Sequence, residues 1–181
     1  APTLSGTAGI NKNDLSWTAS AGAEKYRLFA KVAGNGESRL IGETTNTSFA
    51  HTGLDPATSM EYIVYASRTV NAGDTVEKAS NSVTLTTGLA ATVVEVTSSG
   101  YDSADLAWDA VAGADSYELY RHAGSTGNAF SKIATVRGTA HSDTGLLTGK
   151  EYTYYVIAIK SGSNISGNES NRVSVTPQLT G

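Results

Sequence analysis

Short stretches of alternating apolar and polar residues recur along this chain about every 8–12 residues, and clusters of Gly, Asn, Ser and Asp separate them. In Leu15-Ser16-Trp17 the two apolar side chains fall on one face, because successive side chains of a strand point to opposite faces. No segment keeps the 3.6-residue period of an amphipathic helix. The pattern predicts an all-β chain built of antiparallel sandwiches.

Seven strands are predicted in each half of the chain. In the first half they lie near Thr3–Thr7, Asp14–Thr18, Lys25–Val32, Arg39–Glu43, Ser48–His51, Met60–Thr69 and Lys78–Thr86. In the second half they lie near Thr92–Thr97, Ala104–Asp109, Ser116–Arg121, Ser131–Val136, Ala140–Ser142, Glu151–Lys160 and Ser170–Thr176.

The two halves repeat one another. The segment from Leu15 to Leu28 returns as Leu106 to Leu119, and Trp17 and Trp108 are 91 positions apart. A period this long indicates two copies of one small domain, not a solenoid of short repeats. The sequence therefore predicts two domains, residues 1–88 and 89–181.

Composition and charge exclude several classes of protein. The formal net charge is −4, with 7 basic and 8 acidic residues in the first half and 6 and 9 in the second. Neither half carries the basic patch that nucleic acid requires. No apolar run approaches the roughly 18 residues of a membrane span, so no membrane insertion is expected. The chain contains no cysteine, which excludes disulfides, thiol chemistry and thiolate metal sites.

No residues are spaced as a catalytic or metal site requires. The histidines show no His-Glu-x-x-His pattern and there is no Gly-x-Ser-x-Gly elbow. Three nearby aspartates lack the glycine and the terminal glutamate of a calcium-binding loop. We therefore expect no catalytic residue, no metal and no cofactor. The residues considered are His51, His122, His141, Asp102, Asp105 and Asp109.

Several motifs resemble the fibronectin type III family in their order. Leu-x-Trp near the second strand is followed nine residues later by Tyr-x-Leu in both halves, at Trp17/Tyr26 and Trp108/Tyr117. The segments 145–158 and 170–177 are similar to the family's E–F corner and last strand. The resemblance implies two Greek-key β-sandwiches of seven strands. Because alternation places Trp17 with Leu15 and Trp108 with Leu106 on one face, we expect both tryptophans in the core.

The E–F corner differs between the halves. Alignment of Gly53-Leu54 with Gly145-Leu146 places Met60 where the second half has Tyr152. A tyrosine at this corner normally forms a hydrogen bond to nearby backbone, which methionine cannot donate. We expect this bond at Tyr152 only, unless a shift in register brings Tyr62 to the corner.

One surface stands out as a candidate binding site. If Tyr62, Val64 and Ala66 point inward, the intervening side chains point to solvent, and the second half repeats this pattern. Contiguous apolar and aromatic side chains on an outer sheet face indicate a contact surface, unless a neighbouring strand and long polar side chains cover them. The candidate ligand-binding residues are Phe29, Ile63, Tyr65, Tyr120, Tyr155, Ile157 and Ile159. The Gly- and Asn-rich F–G loops, 70–75 and 161–168, are a second possible contact region.

The resemblance extends to accessory modules of Gram-positive bacterial surface proteins and polysaccharide-degrading enzymes. It implies a non-catalytic spacer in a larger extracellular or surface-anchored protein, whose partners are neighbouring modules of the same polypeptide. The alternative is a module that binds a polysaccharide or a surface protein through the outer aromatic face. An enzyme would require a convergent cleft with a perturbed carboxylate or histidine.

Overall fold

The chain folds into two compact units, Ala1–Gly88 and Leu89–Gly181. The structure is a computed structural model, and it describes residues 1–71, 74–124 and 129–179. Every strand pair in both units is antiparallel.

The first unit consists of a three-stranded sheet facing a five-stranded sheet. The small sheet has the order β1-β2-β5; the large sheet has the order β4-β3-β6-β7, and β8 also pairs with β6. The strands are β1 (Leu4–Ala8), β2 (Lys12–Trp17), β3 (Lys25–Val32), β4 (Arg39–Thr44), β5 (Ser48–Thr52), β6 (Ser59–Asn71), β7 (Asp74–Ala79) and β8 (Val83–Thr86).

The second unit repeats this topology. Its small sheet has the order β9-β10-β13; its large sheet has the order β12-β11-β14-β15, with β16 paired to β14. The strands are β9 (Val94–Ser99), β10 (Ser103–Trp108), β11 (Ser116–Ala123), β12 (Ser131–Val136), β13 (Ala140–Thr144), β14 (Tyr152–Lys160), β15 (Ile165–Glu169) and β16 (Val173–Val175).

Alternation places the core as predicted. In β6, Tyr62, Val64 and Ala66 are buried, and in β14, Tyr154, Val156 and Ala158 are buried. Both tryptophans lie in the core, and each packs its ring near a buried tyrosine of the facing sheet, with centroids 5.5 Å apart for Trp17–Tyr26 and 5.7 Å for Trp108–Tyr117. The two predicted core tryptophans are thus confirmed.

Two strands follow the long central strand in each unit, so the described residues form eight strands per unit where seven are predicted. In the first unit the predicted last strand is divided into β7 and β8, whereas in the second unit β15 lies largely in the segment 161–168 that was predicted as a loop. Between β7 and β8 the Asn81 side chain leaves the large sheet and binds the backbone of Leu4 in β1, accepting from its N–H at 2.8 Å and donating to its carbonyl at 3.0 Å. Between β15 and β16, Asn171 binds the backbone of Val94 in the same way, both distances being 2.8 Å. The asparagine joins the two sheets and interrupts the strand.

In the second unit Tyr152 forms a hydrogen bond with the corner backbone as predicted, but as the acceptor and not as the donor. The Leu147 N–H donates to the Tyr152 hydroxyl at 3.0 Å. In the first unit Met60 lies at the equivalent place and packs against the core, while Tyr62 points into the sandwich. Of the F–G loops, residues 72–73 lie outside the described residues, and residues flanking them belong to β6 and β7.

Candidate functional site

The outer face of the first unit's large sheet holds three of the candidate residues. Phe29 of β3 lies opposite Ile63 of β6, and the Phe29 and Tyr65 rings meet edge to face with centroids 5.4 Å apart. All three side chains are half-buried. The Arg27 guanidinium lies 5.2 Å from the centroid of the Phe29 ring and covers part of this small aromatic cluster.

Charged side chains border this cluster. Arg27 pairs with Glu77 and Glu43, and Lys25 also pairs with Glu43. The Lys25 ammonium, followed by Arg27, holds the pKa of the Glu43 carboxyl below its usual range. A ligand on this face would therefore meet a few half-covered rings at the edge of an ion-pair network.

The outer face of the second unit carries a larger aromatic cluster. Tyr120 of β11 and Tyr155 of β14 are cross-strand partners, and their rings stack with centroids 4.8 Å apart and an angle of 11°. The Phe130 ring lies 4.8 Å from that of Tyr155, and the Arg172 guanidinium lies 4.6 Å from the Phe130 centroid. Tyr120, Phe130, Tyr155 and Arg172 are called the Tyr120 cluster below.

Tyr155 lies at the centre of the Tyr120 cluster and is only 7% exposed. Burial raises the pKa of its hydroxyl. Burial also raises the pKa of Tyr120 to about 12, together with Glu118, which accepts a hydrogen bond of 2.8 Å from the Tyr120 hydroxyl. Because Tyr155 is covered by its neighbours, the half-buried rings of Tyr120 and Phe130 are the ones a ligand could reach.

Ile157 and Ile159 lie on the same outer face as the Tyr120 cluster. Both side chains are half-buried, and their cross-strand partners are Glu118 and Ser116. The candidate residues therefore form two separate groups, one in each unit. Sequence reasoning missed Phe130 and Arg172, which come from the β11–β12 connection and from the break before β16. The sequence offers only weak signals for them: Phe130 is an aromatic residue close to a Gly- and Asn-rich turn, and Arg172 is a basic residue next to Asn171.

Each unit also buries a tyrosine hydroxyl within a polar group of side chains. In the first unit the Tyr62 hydroxyl accepts from the Asn13 amide at 2.9 Å and lies 3.0 Å from His51 Nδ1. Burial raises the pKa of Tyr62 and lowers that of His51. These groups lie between the sheets, so they are structural contacts of the core.

In the second unit the equivalent Tyr154 hydroxyl donates to Asp143 Oδ2 at 2.8 Å. Arg121 Nη1 donates to both oxygens of the same carboxylate, at 3.0 and 2.8 Å. Burial and the Asp143 carboxylate raise the pKa of Tyr154. Arg121 and Asp143 thus form an ion pair whose carboxylate also accepts the hydrogen bond of the buried Tyr154 hydroxyl.

The remaining polar residues singled out in the sequence make separate contacts. His122 Nδ1 is 3.1 Å from the Ala129 carbonyl, and His141 lies in β13 opposite Leu106. Hydrogen bonds from Ser142 and Ser98 hold the pKa of Asp105 below its usual range. Within the ranges that the structure describes, no group of three His, Asp or Glu side chains could hold a metal ion, and no helix is long and apolar enough to cross a membrane.

Two enzymes are among the proteins that share sequence with the chain. It is 31% identical to exoglucanase B of Cellulomonas fimi over 90% of this chain, which is 15% of that enzyme. It is 39% identical to the poly(3-hydroxybutyrate) depolymerase of Ralstonia pickettii over 40% of this chain, which is 13% of that enzyme. The chain thus spans about one seventh of the length of these relatives. No family model matches the sequence.

Among solved structures, a two-domain fibronectin type III segment from chicken tenascin superimposes with a TM-score of 0.67. The superposition covers 96% of this chain and 97% of the tenascin segment, at 22% identity. At this identity the similarity shows the fold alone. The predicted fold, two fibronectin type III sandwiches in succession, is confirmed.

Proposed function

We propose that this pair of fibronectin type III folds is a non-catalytic spacer of a larger extracellular protein, which holds neighbouring catalytic or binding modules at a set distance. The observation that carries the proposal is the match to exoglucanase B, which spans nearly the whole pair yet only 15% of the enzyme. A segment of this size, made of two small sandwiches, lacks the room for a core and a deep active-site cleft.

The way in which each unit uses its polar groups supports the same function. The buried side chains Tyr62 and Tyr154 have their hydrogen-bond partners within the core. The charged residues of the outer face pair with one another across neighbouring strands, as Arg27 of β3 does with Glu43 of β4. Few described polar groups are left to converge on a substrate, which suits a module whose work is positional.

An extracellular location follows by analogy with the two relatives. Both are named for enzymes that act on polymers, a glucan and poly(3-hydroxybutyrate). A polymer outside the cell has to be attacked there, and spacer modules would accompany the catalytic module. The proposed extracellular location of this chain therefore rests on its sequence similarity to these two enzymes.

A chimera tests the spacer function. In exoglucanase B of Cellulomonas fimi the matched segment is replaced by residues 1–181, or by a Gly-Ser linker of equal length. We expect the chimera to keep its rate on insoluble glucan while the linker variant loses a large part of it, because a flexible linker holds no fixed distance. Both should act equally on a short soluble substrate. Equal rates of the two on insoluble glucan would disprove the spacer proposal.

A second candidate function is binding of carbohydrate, and the Tyr120 cluster favours it. Sugar rings stack on aromatic faces, and Tyr120 and Phe130 are half-buried rings that each pack against Tyr155 with centroids 4.8 Å apart. The measurement is retention of the pair on a panel of insoluble polysaccharides. Tyr120→Ala and Phe130→Ala should abolish retention, whereas Phe29→Ala and Tyr65→Ala in the first unit should leave it intact. Retention that survives the first two substitutions excludes this site.

A further inference from the structure

The first unit contains a cavity that its own side chains leave open. Its volume is about 410 Å³, and small residues of the β2–β3 connection form much of its wall. The opposite wall comes from β6 and β7. The lining residues that matter here are Ala1, Gly22, Ala66, Ser67, Val76 and Lys78.

Two serines that line this cavity have hydroxyls without a hydrogen-bond partner among the residues that the structure describes. Ser67 is 1% exposed, and the Ser20 hydroxyl is also buried. In the second unit Val111 and Ile159 lie at the same two places. Ser20 and Val111 both donate their N–H to a core tyrosine hydroxyl, and Ser67 and Ile159 lie opposite Lys25 and Ser116. The second unit therefore carries larger, apolar side chains at the two positions where the first unit has serines.

The second unit also covers this place with the chain that enters it. Leu89, the first residue of that unit, is 2% exposed. A Cβ on Gly167 of β15 would lie 2.6 Å from the Ala90 carbonyl oxygen and 3.4 Å from that of Leu89. Residues 89–90 thus run close against β15, at the level where β7 carries Lys78 in the first unit.

The repeat shows which residue would do the same in the first unit. Leu4 and Val94 are equivalent, because each lies opposite its unit's tryptophan and binds its unit's bridging asparagine. Leu89 precedes Val94 by five residues, so its counterpart precedes Leu4 by five. That position is the second residue upstream of Ala1, and Ala1 itself lines the cavity.

We propose that this cavity receives an apolar side chain from the segment that leads into Ala1 in the longer polypeptide, at the second position before Ala1. The inference rests on the proposed function, in which the pair is joined to neighbouring modules. An apolar residue buried here would tie the incoming linker to the first unit. The link between modules would then be stiff, since its last residues would be part of the sandwich.

Three short extensions test the proposal on the full chain. Gly-Leu-Ala, which copies residues 88–90, is added before Ala1; Leu-Gly-Ala has the same composition with leucine one position away, and Gly-Ser-Ala lacks it. A Trp108→Phe background leaves Trp17 as the only tryptophan, so its fluorescence reports unfolding of the first unit alone. We expect Gly-Leu-Ala to raise the midpoint temperature by roughly 5 °C over both controls, and to shift the methyl resonances of Ala23 and Ala66.

The second unit supplies the matched control. In a Trp17→Phe background Leu89→Ser should lower the midpoint of the second unit by a similar amount. If Gly-Leu-Ala and Leu-Gly-Ala unfold at the same temperature, the cavity does not receive this residue. If Leu89→Ser has no effect, the equivalence on which the proposal rests is wrong. Neither outcome bears on the chimera, so failure of this inference and failure of the spacer function are distinguishable.

Discussion

Tyr62 and Tyr154 are buried at equivalent positions of the two units, but their hydroxyls form hydrogen bonds to partners of different chemistry. Tyr62 lies between neutral groups, the Asn13 amide and the His51 imidazole. Tyr154 donates to the Asp143 carboxylate, which Arg121 holds with two hydrogen bonds.

The strand register shows that these are exchanges at equivalent positions. Ala30 and Arg121 lie opposite the two tyrosines, and His51 and Asp143 occupy the same place in β5 and β13. What both units keep is a partner for the buried hydroxyl, because an unpaired polar group in the core costs about 1–3 kcal/mol. The fold fixes where the polar group lies, and the chemistry that satisfies it can change.

The largest difference between the units should appear when one half of the ion pair is removed. Arg121→Ala leaves the Asp143 side chain, which is only 10% exposed, without its cation. Loss of one partner of a fully buried pair costs roughly 3–5 kcal/mol. The free energy of unfolding of the second unit, from urea denaturation followed by Trp108 fluorescence in a Trp17→Phe background, should fall by an amount at the lower end of that range, because the Arg121 side chain is 31% exposed and solvent screens the pair in part.

Conversion of the second unit to the first unit's chemistry sharpens this result. The triple variant Arg121→Ala/Asp143→His/Ala104→Asn recreates the neutral group around Tyr154. It should recover much of the stability lost in Arg121→Ala, because no unpaired charge is left. A triple variant less stable than the single one would show that the two polar centres are not interchangeable.

The bridging asparagines should behave alike in both units. Asn81→Ala and Asn171→Ala each remove two hydrogen bonds to a backbone segment of the facing sheet. Each should cost about 1–3 kcal/mol of unfolding free energy, because the Leu4 or Val94 groups are left unpaired. The measurement is the same denaturation with the tryptophan of each unit as reporter. A large loss in only one unit would contradict a shared role.

Much of the fold was predictable from the sequence because strand alternation is local: it placed Trp17 and Tyr62 on inner faces without reference to any partner. The asparagine bridges were not, since they depend on Asn81 meeting Leu4, 77 residues away. Burial of Tyr155 was missed for the same reason, because Phe130 and Arg172 cover it from distant parts of the chain. Alternation tells which face a side chain occupies, and only the fold tells what covers that face.

The E–F corner should produce a smaller difference in stability between the two units. Tyr152→Phe removes the hydrogen bond from the Leu147 N–H and should destabilise the second unit by about 0.5–1.5 kcal/mol. Met60→Leu, a swap of similar volume with no such bond, should change the first unit less. Calorimetry of the two single variants checks this, and equal losses would contradict the assignment of the corner to the second unit alone.

The smallest expected effect is a pH dependence confined to the first unit's polar centre. Burial lowers the pKa of His51 in the folded state, whereas an unfolded histidine titrates near about 6.5. The unfolded chain therefore binds the proton more readily, and stability falls as the pH drops below the unfolded value. The decline stops once the pH passes the folded pKa, and above the unfolded value the contribution is constant. The Tyr62 hydroxyl accepts from Asn13, which leaves its proton for a neutral Nδ1, and protonation of the imidazole removes the Nδ1 lone pair that this bond requires.

The test compares the midpoint of the first unit between pH 7 and pH 5 with His51 present and in His51→Gln, both in a Trp108→Phe background so that Trp17 alone reports. The chain with His51 should lose stability over this interval and the His51→Gln variant should lose less. Asp143 stands at this position in the second unit, so a His51→Asp variant with Ala30→Arg would carry the other unit's chemistry into the first. If the slope between pH 7 and pH 5 is unchanged in His51→Gln, His51 is not the group that titrates.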